Sequence, residues 1–242
     1  QFTRKMAALS LVLDCRDLII EGITDSDANV LSYYVSDVNA ILGQKLVIDV
    51  GERLTEVVIH YRTSTTAQGL QWLTPEQTLG KQLPYLFSQS QPINARSWIP
   101  LQDTPKARIT FNATVTAPQG LRAVMSAENN PELPDNGVFE FCMNKPIPTH
   151  LLAIAVGELS FQATGPRSGI YTEPDMLAAA AKEFEDTESM ILMAESILGP
   201  YAWGRYDMIV LPPSFPFGGM ENPMLAFMTP TLIAGDKSLV ST

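Results

Sequence analysis

The run from Arg108 to Thr116 constrains the fold most strongly, because its side chains alternate strictly between polar and apolar. Its apolar side chains would point to one face of an extended chain, and its polar side chains would point to the other. A period of two over nine residues predicts a half-buried antiparallel strand with one face in water.

Shorter apolar and β-branched runs extend this pattern along the first two thirds of the chain. We expect strands over residues 46–50, 57–61 and 138–143, and a fully buried strand over residues 151–156, where the apolar run is unbroken. Turn-forming Gly, Pro and Asn residues separate these runs. The sequence therefore predicts a mainly β N-terminal domain over residues 1–163.

The character of the chain changes between about residues 160 and 170. Apolar residues then recur at helical spacing up to Leu198, where Gly199-Pro200 ends the pattern. Thr172 is the expected N-cap of one long helix, with Pro174 in its first turn, and Met190 and Met193 are expected to fill the core. We expect this helix to open a second, α/β domain over residues 164–242.

Composition excludes several functional classes. Apolar residues make up 45% of the chain and charged residues 17%, which is typical of a globular protein with a sizeable core. Acidic residues outnumber basic ones 26 to 16 and no Lys/Arg run is present, so we expect no nucleic-acid partner. The longest uncharged run before residue 208 covers residues 82–95, which is too short and too polar to span a bilayer, so we expect no membrane partner.

The only two cysteines, Cys15 and Cys142, predict a reducing compartment and a cytoplasmic location.

Residues 208–235 are the most informative segment for function. They contain a single charged residue, Glu221, between two apolar runs. A carboxylate in such surroundings is costly to bury unless a cation neutralises it. Glu221 would then pair either with a distant cation of its own chain or with a cationic ligand.

Two glycines precede this carboxylate. Gly218 and Gly219 remove two side chains, so another backbone could approach closely. An extended peptide could then hydrogen-bond to the strand while its ammonium group meets Glu221. The alternative is a structural Gly-Gly bulge with Glu221 paired within the protein or at its surface.

The surrounding residues resemble those of a known family. The sequence Gly218-Gly219-Met220-Glu221-Asn222 matches the G-x-M-E-N motif of the gluzincin zinc aminopeptidases, peptidase family M-one. Blocks at residues 70–78, 85–89, 102–105 and 211–223 are similar to the branch that contains leukotriene hydrolase and aminopeptidase B. The resemblance covers the chain from about Leu46 onward.

This resemblance implies a saddle-shaped β domain followed by the start of a thermolysin-like catalytic domain. It also implies that Glu221 binds the free α-ammonium group of a peptide, while the backbone of Gly218, Gly219 and Met220 lines the cleft. A glutamine of the β domain reaches the substrate in this family, and Gln91 occupies its position.

Other residues flank these positions. Ser90, Pro92, Phe217 and Asn222 complete the candidate substrate-binding set. Two of them depart from the family pattern. Phe217 stands where many members of the branch have a tyrosine, and Pro92 stands where a small residue is expected.

The family resemblance also implies a zinc cofactor, held by an H-E-x-x-H helix and a later glutamate. The sequence has only His60 and His150, and neither is followed by Glu. We therefore expect no catalytic residue and no metal ligand within this sequence, and we expect a fragment whose zinc ligands lie beyond Thr242. Its expected partners are peptide amino ends, the remainder of the catalytic domain and a C-terminal helical domain.

Two other functions stay open. A non-catalytic scaffold protein could use the β domain for protein contacts. Alternatively, the parent enzyme could also hydrolyse an epoxide of a leukotriene lipid. By itself the 242-residue chain is expected to be inactive.

Overall fold

The protein is described by a computed structural model that covers residue 2, residues 9–134 and residues 136–240. Gln1 and Thr242, which are the outer bounds of the two predicted domains, lie outside these residues. The fold consists mostly of short strands, with two α-helices in the last third. This confirms the predicted fold class, a mainly β first part followed by an α/β part.

Sixteen strands are formed by the described residues. They are β1 (Ser10–Cys15), β2 (Ile19–Thr24), β3 (Tyr33–Val35), β4 (Gln44–Asp49), β5 (Val58–Arg62), β6 (Leu70–Leu73), β7 (Tyr85–Ser88), β8 (Arg108–Thr116), β9 (Arg122–Met125), β10 (Val138–Pro148), β11 (Ile154–Gly157), β12 (Ser160–Ala163), β13 (Ser168–Thr172), β14 (Tyr206–Val210), β15 (Gly219–Met220) and β16 (Leu225–Met228).

Strand β8 has the alternation that the sequence predicts. Its apolar side chains are half-buried, whereas its polar side chains are exposed, and it pairs with β10. The fully buried strand expected over residues 151–156 is shorter, begins later and is not buried throughout, since Ile154 and Val156 are half-buried. It covers Ile154–Gly157, because Leu151 belongs to a 3₁₀ turn, Thr149–Leu151.

The chain divides into two compact units. The first consists of residues 1–71, 89–108 and 148–150. It contains the sheet β1-β4-β3 and the pair β2-β5. Its core is formed around five buried side chains: Cys15, Ile23, Leu46, Ile48 and Val50.

The second unit consists of residues 72–88, 109–147 and 151–242. It holds the sheet β12-β13-β14-β16-β15, in which β13, β14 and β16 run parallel and both edge strands run antiparallel to their neighbours. One face of this sheet packs with β7 and β11 in a core that includes Phe87, Tyr171 and Phe227. The other face packs against the first helix.

The single helix predicted from Thr172 onward is wrong in two respects. The structure has a 3₁₀ turn (Pro174–Met176), helix α1 (Leu177–Glu183) and helix α2 (Thr187–Leu198). Thr172 is the buried last residue of β13, where its hydroxyl donates to the Val210 carbonyl at 3.3 Å, so it caps no helix.

The predicted burial of two methionines is also wrong. Met190 and Met193 on α2 are 41% and 69% exposed, and Ile197 and Leu198 are more exposed still. The apolar stripe of α2 is therefore only partly covered by the residues that the structure describes. No helix in the described part of the chain is long and apolar enough to cross a membrane.

The predicted domain boundary between residues 163 and 164 stays a prediction. The compact units are defined by internal contacts and interleave along the sequence, so they describe a different division of the chain.

Candidate functional site

The candidate motif lies at the edge of the five-stranded sheet. Gly219 and Met220 form β15, and its one strand partner among the described residues is β16. The register aligns Gly219 with Met228 and Met220 with Phe227, and the Thr229 amide donates to the Gly218 carbonyl at 3.1 Å. Gly219 therefore belongs to a short edge strand, and Gly218 lies immediately before it.

The backbone of Gly219 faces away from the sheet. In an antiparallel pair, hydrogen-bonded and non-hydrogen-bonded positions alternate. Because Gly218 is hydrogen-bonded to Thr229, the next position, Gly219, directs its N–H and C=O to the outer edge. An extended peptide could add to this edge as a further strand.

The Glu221 carboxylate lies on the same face as the missing side chain of Gly219. Its Oε1 atom is 3.5 Å from the position that a β-carbon on Gly219 would take. The residue is exposed, so no desolvation cost forces it to find a cation, contrary to the burial considered from the sequence. Among residues 9–134 and 136–240, no hydrogen bond or ion pair to this carboxylate is formed.

The residues on both sides of Glu221 are buried and fix its backbone. Asn222 is 4% exposed, and its backbone N–H donates to the Met220 carbonyl at 2.9 Å, which closes a γ-turn centred on Glu221. The Asn222 side-chain amide reaches the same carbonyl at 3.4 Å. Met220 packs into the core shared with Leu225 and Phe227. The carboxylate is thus carried on an ordered turn.

Tyr206 is a neighbour that the sequence does not reveal. Burial, and secondarily the negative charge of Glu221, raise the pKa of the Tyr206 hydroxyl above its usual value. This phenol stays protonated and neutral at physiological pH. Nothing in the sequence links it to Glu221, because their proximity arises from the pairing of β14 with β16.

Phe217 provides an exposed aromatic surface beside the glycines. It is 48% exposed, and its ring meets the ring of Phe215 edge to face at 5.8 Å. Phe215 is buried and packs edge to face on Phe87 and Phe227. The orientation of Phe217 is therefore supported by an aromatic cluster.

The second predicted group lies in the turn that follows β7. Ser90 is buried, and its hydroxyl accepts a hydrogen bond from the Trp98 indole at 3.2 Å. Gln91 and Pro92 are exposed, and the peptide bond between them is cis. The Gln91 carbonyl accepts from the Asn94 side chain at 3.3 Å.

The structure brings the six residues from Phe217 to Asn222 together on one edge strand and its turn. Residues 90–92 belong to the first compact unit, whereas the motif at residues 217–222 belongs to the second.

The described residues do not form a metal centre. Within residues 2, 9–134 and 136–240, no group of three or more His, Cys, Asp or Glu side chains could hold a metal ion. His60 is an exposed residue of β5, and His150 is half-buried in a 3₁₀ turn. No catalytic step through a metal can be assigned to these side chains.

A mainly β part joined to an α/β part that carries an edge-strand G-x-M-E-N motif is typical of a peptidase. Comparison with protein families makes this specific. Residues 1–151 match the Peptidase M1 N-terminal domain, and residues 183–242 match the Peptidase family M1 domain. The chain belongs to peptidase family M1.

Several relatives share this similarity. The chain is 43% identical to leukotriene A-4 hydrolase of Xenopus laevis, covering 96% of this chain and 40% of that protein. It is 44% identical to aminopeptidase B of Mus musculus, covering 76% of this chain and 28% of that protein. A solved structure of yeast LTA4 hydrolase in complex with bestatin is 38% identical with a TM-score of 0.89, covering 96% of this chain and 36% of that one. The chain thus spans less than half the length of these relatives.

Proposed function

We propose that this chain supplies the part of a zinc aminopeptidase that binds the free amino end of a peptide. The exposed Glu221 carboxylate supports this most directly, because it stands beside an unpaired strand edge and has no cation of the described chain as a partner. A peptide ammonium group is the cation that would fit next to a strand-like backbone.

Each predicted site residue has a role in this proposal. Glu221 accepts hydrogen bonds from the α-ammonium group. Gly219 pairs with the peptide backbone through its outward N–H and C=O, and Gly218 and Met220, whose carbonyls are hydrogen-bonded within the protein, flank it. Phe217 borders the first side chain of the peptide, and Asn222 holds the turn.

Gln91 is the second contact with the amino end of the peptide. Its side chain is exposed on the turn after β7, while Ser90 and Pro92 shape that turn. A contact from Gln91 to the terminal ammonium group would help to fix where the peptide starts. Cleavage would then occur one residue in from that end.

Family membership implies a metal cofactor for the whole protein. We propose that this metal is zinc and that residues outside this sequence hold it, since the described side chains form no suitable group. The proposal derives no step of hydrolysis from this chain alone.

The proposed partners are peptide amino ends, the remainder of a catalytic domain and a C-terminal helical domain. The exposed apolar side chains of α2 support packing by further catalytic-domain residues, since relatives are much longer than this chain. The exposed side chains of α2 border an apolar groove of about 500 Å³, which is lined by Met190, Leu198, Tyr206, Met208 and Met228. Nucleic acids and membranes are not proposed partners.

A cytoplasmic location is proposed on the basis of the two cysteines. Cys15 is buried and Cys142 is half-buried, and both are free thiols. Proteins of reducing compartments commonly retain such unpaired cysteines.

A second candidate activity is hydrolysis of the epoxide in leukotriene A-4. The 43% identity to leukotriene A-4 hydrolase of Xenopus laevis favours it. Both activities could belong to one protein, so they are tested separately. A scaffold function without catalysis is the remaining alternative.

The decisive experiment is Glu221→Gln in the product of the complete gene, assayed with alanyl and arginyl arylamides. Hydrogen bonds to charged groups contribute about 1.5–3 kcal/mol, so we expect KM to rise by roughly 10- to 100-fold. Glu132→Gln, which removes the same charge from an exposed residue elsewhere, serves as the control and should leave KM unchanged.

Three outcomes separate the alternatives. Unchanged kinetics in Glu221→Gln would rule out the proposed role of that carboxylate. Turnover that survives a chelator would rule out a metal-dependent reaction, whereas absence of turnover on any peptide would favour the scaffold alternative. A parallel assay with leukotriene A-4 decides the second candidate.

A further inference from the structure

We propose that Trp98 is a positioning residue for Gln91, acting through the buried hydroxyl of Ser90. This inference rests on the proposed function, in which Gln91 contacts the amino end of the peptide. It assigns a role to a buried tryptophan that lies outside the candidate substrate-binding set.

The hydrogen bond between Trp98 and Ser90 is buried on both sides. The two residues are 8% and 4% exposed, and indole Nε1 lies 3.2 Å from the hydroxyl oxygen. An indole N–H can only donate, and the Ser90 hydroxyl is the acceptor that satisfies this buried donor. Ser90 is the residue immediately before Gln91, so this bond fixes the entry to the turn.

The backbone of Trp98 is itself fixed by two hydrogen bonds. Its N–H donates to the Ala95 carbonyl at 3.1 Å, and its carbonyl accepts from the Tyr61 hydroxyl at 2.9 Å. Burial raises the pKa of Tyr61 to about 12, so this hydroxyl keeps its proton and remains a donor at physiological pH. The indole is therefore a fixed point from which Ser90 can be positioned.

The turn itself is closed by Asn94. The Asn94 backbone N–H donates to the Ser90 carbonyl at 2.8 Å, and its side-chain amide donates to the Gln91 carbonyl at 3.3 Å. Both backbone carbonyls at the head of the turn thus have partners, while the Gln91 side chain is exposed.

Gly69, which directly precedes β6, contacts the turn that contains Gln91. Its carbonyl accepts from the Gln89 N–H at 2.9 Å, and its N–H donates to the Ser97 hydroxyl at 2.8 Å. A β-carbon on Gly69 would lie 2.4 Å from the Asn94 carbonyl oxygen and 3.0 Å from Cδ1 of Trp98. Only glycine allows this close approach.

Together these contacts leave one exposed amide on a turn whose surroundings are fixed. A side chain presented from an ordered turn loses less conformational freedom on binding, which favours affinity. Loss of the Trp98 hydrogen bond should therefore weaken peptide binding without altering the chemistry of hydrolysis.

The test removes this hydrogen bond from each side in the product of the complete gene. Trp98→Phe keeps an aromatic ring but removes the donor, and Ser90→Ala removes the acceptor. We expect KM for peptides with a free amino end to rise by about 3- to 10-fold in either variant, with kcat unchanged. The double variant should be no worse than Ser90→Ala alone, because that substitution already removes the bond to Trp98.

Two further readouts separate positioning from general destabilisation. Ser90→Thr keeps the hydroxyl and should restore KM, and hydrogen exchange at the Asn94 amide should become about tenfold faster in Trp98→Phe, as the Ser90 carbonyl loosens. Trp72→Phe is the matched control, since Trp72 is 58% exposed and should change neither readout.

A Gln91→Ala arm distinguishes the possible failures. If Gln91→Ala raises KM but Trp98→Phe changes neither KM nor exchange, the positioning role is wrong and the proposed function stands. If Gln91→Ala leaves KM unchanged, the substrate role assigned to Gln91 is wrong, and the positioning role falls with it.

Discussion

Glu221 Oε1 lies 3.5 Å from the point that a β-carbon on Gly219 would occupy, which is ordinary van der Waals distance. The same β-carbon would lie 3.4 Å from the Phe227 carbonyl oxygen. A single methyl group therefore fits at this position, but a branched side chain would take up the space beside the carboxylate. Gly219 keeps the approach to Glu221 open.

A branched side chain at position 219 should therefore weaken peptide binding more than a single added methyl group does. We expect Gly219→Val to raise KM for peptides by about tenfold, because its γ-carbons would compete with the ammonium group for the space next to Glu221. Gly219→Ala is the conservative comparison and should stay within about twofold of the unsubstituted protein. Arylamide kinetics on the product of the complete gene measure both, and equal KM values for valine and alanine would contradict this account.

Arg167 is expected to stabilise the second unit through two carboxylates of α2. Its guanidinium donates to both oxygens of Glu195 at 2.8 and 3.0 Å and to Glu188 at 2.9 Å. These hydrogen bonds, first those to Glu195, raise the pKa of Arg167, and the Arg167 contact lowers the pKa of Glu195.

We expect Glu195→Gln to lower the free energy of unfolding, since the ion pair is bidentate and charge-assisted. Chemical denaturation at neutral pH measures this change, and Glu132→Gln provides a control with the same charge difference at an exposed site. The lowered pKa of Glu195 means that its contribution is present above the unfolded-state pKa and is lost as the pH falls. The difference between Glu195→Gln and the unsubstituted protein should accordingly shrink in acid.

Local pattern was sufficient to predict part of this fold. The alternation of residues 108–116 predicts β8 with its bounds, because every second side chain of a strand with one face in water is polar. The motif at residues 218–222 likewise identifies the candidate site from the sequence. What pattern cannot show is that Glu221 is exposed, because exposure depends on strand order.

The errors come from contacts that are distant in sequence. Helical spacing continues through Phe184, yet α1 ends at Glu183, and the Phe184 side chain is buried in the core that packs on the sheet. Glu183, the last residue of α1, is a charged residue that is only 2% exposed. Its carboxylate accepts the backbone N–H groups of Gly235 at 2.8 Å and Lys237 at 2.9 Å, more than 50 residues away.

The contact with Glu183 also brings Lys237 close to the acidic end of α1. The Lys237 ammonium lies 2.5 Å from Glu185 and 2.6 Å from Asp186, and Lys182 lies 2.6 Å from Glu185. Hydrogen bonds from Lys182 and then Lys237 lower the pKa of the Glu185 carboxyl from 4.5 to about 2. The ion pairs stabilise the fold above the unfolded-state pKa and are lost as the pH falls through the folded-state value.

Lys237→Met should therefore raise the pKa of Glu185 part of the way back towards 4.5, because Lys182 remains as one of its two donors. The side-chain carboxyl resonance of Glu185, followed by NMR while the protein stays folded in acid, measures this shift directly. Lys106→Met removes the same charge from an exposed residue in the first unit and should leave the resonance unaffected. A Glu185 titration that is the same in Lys237→Met as in the unsubstituted protein would show that the Lys237 ammonium does not hold this carboxylate.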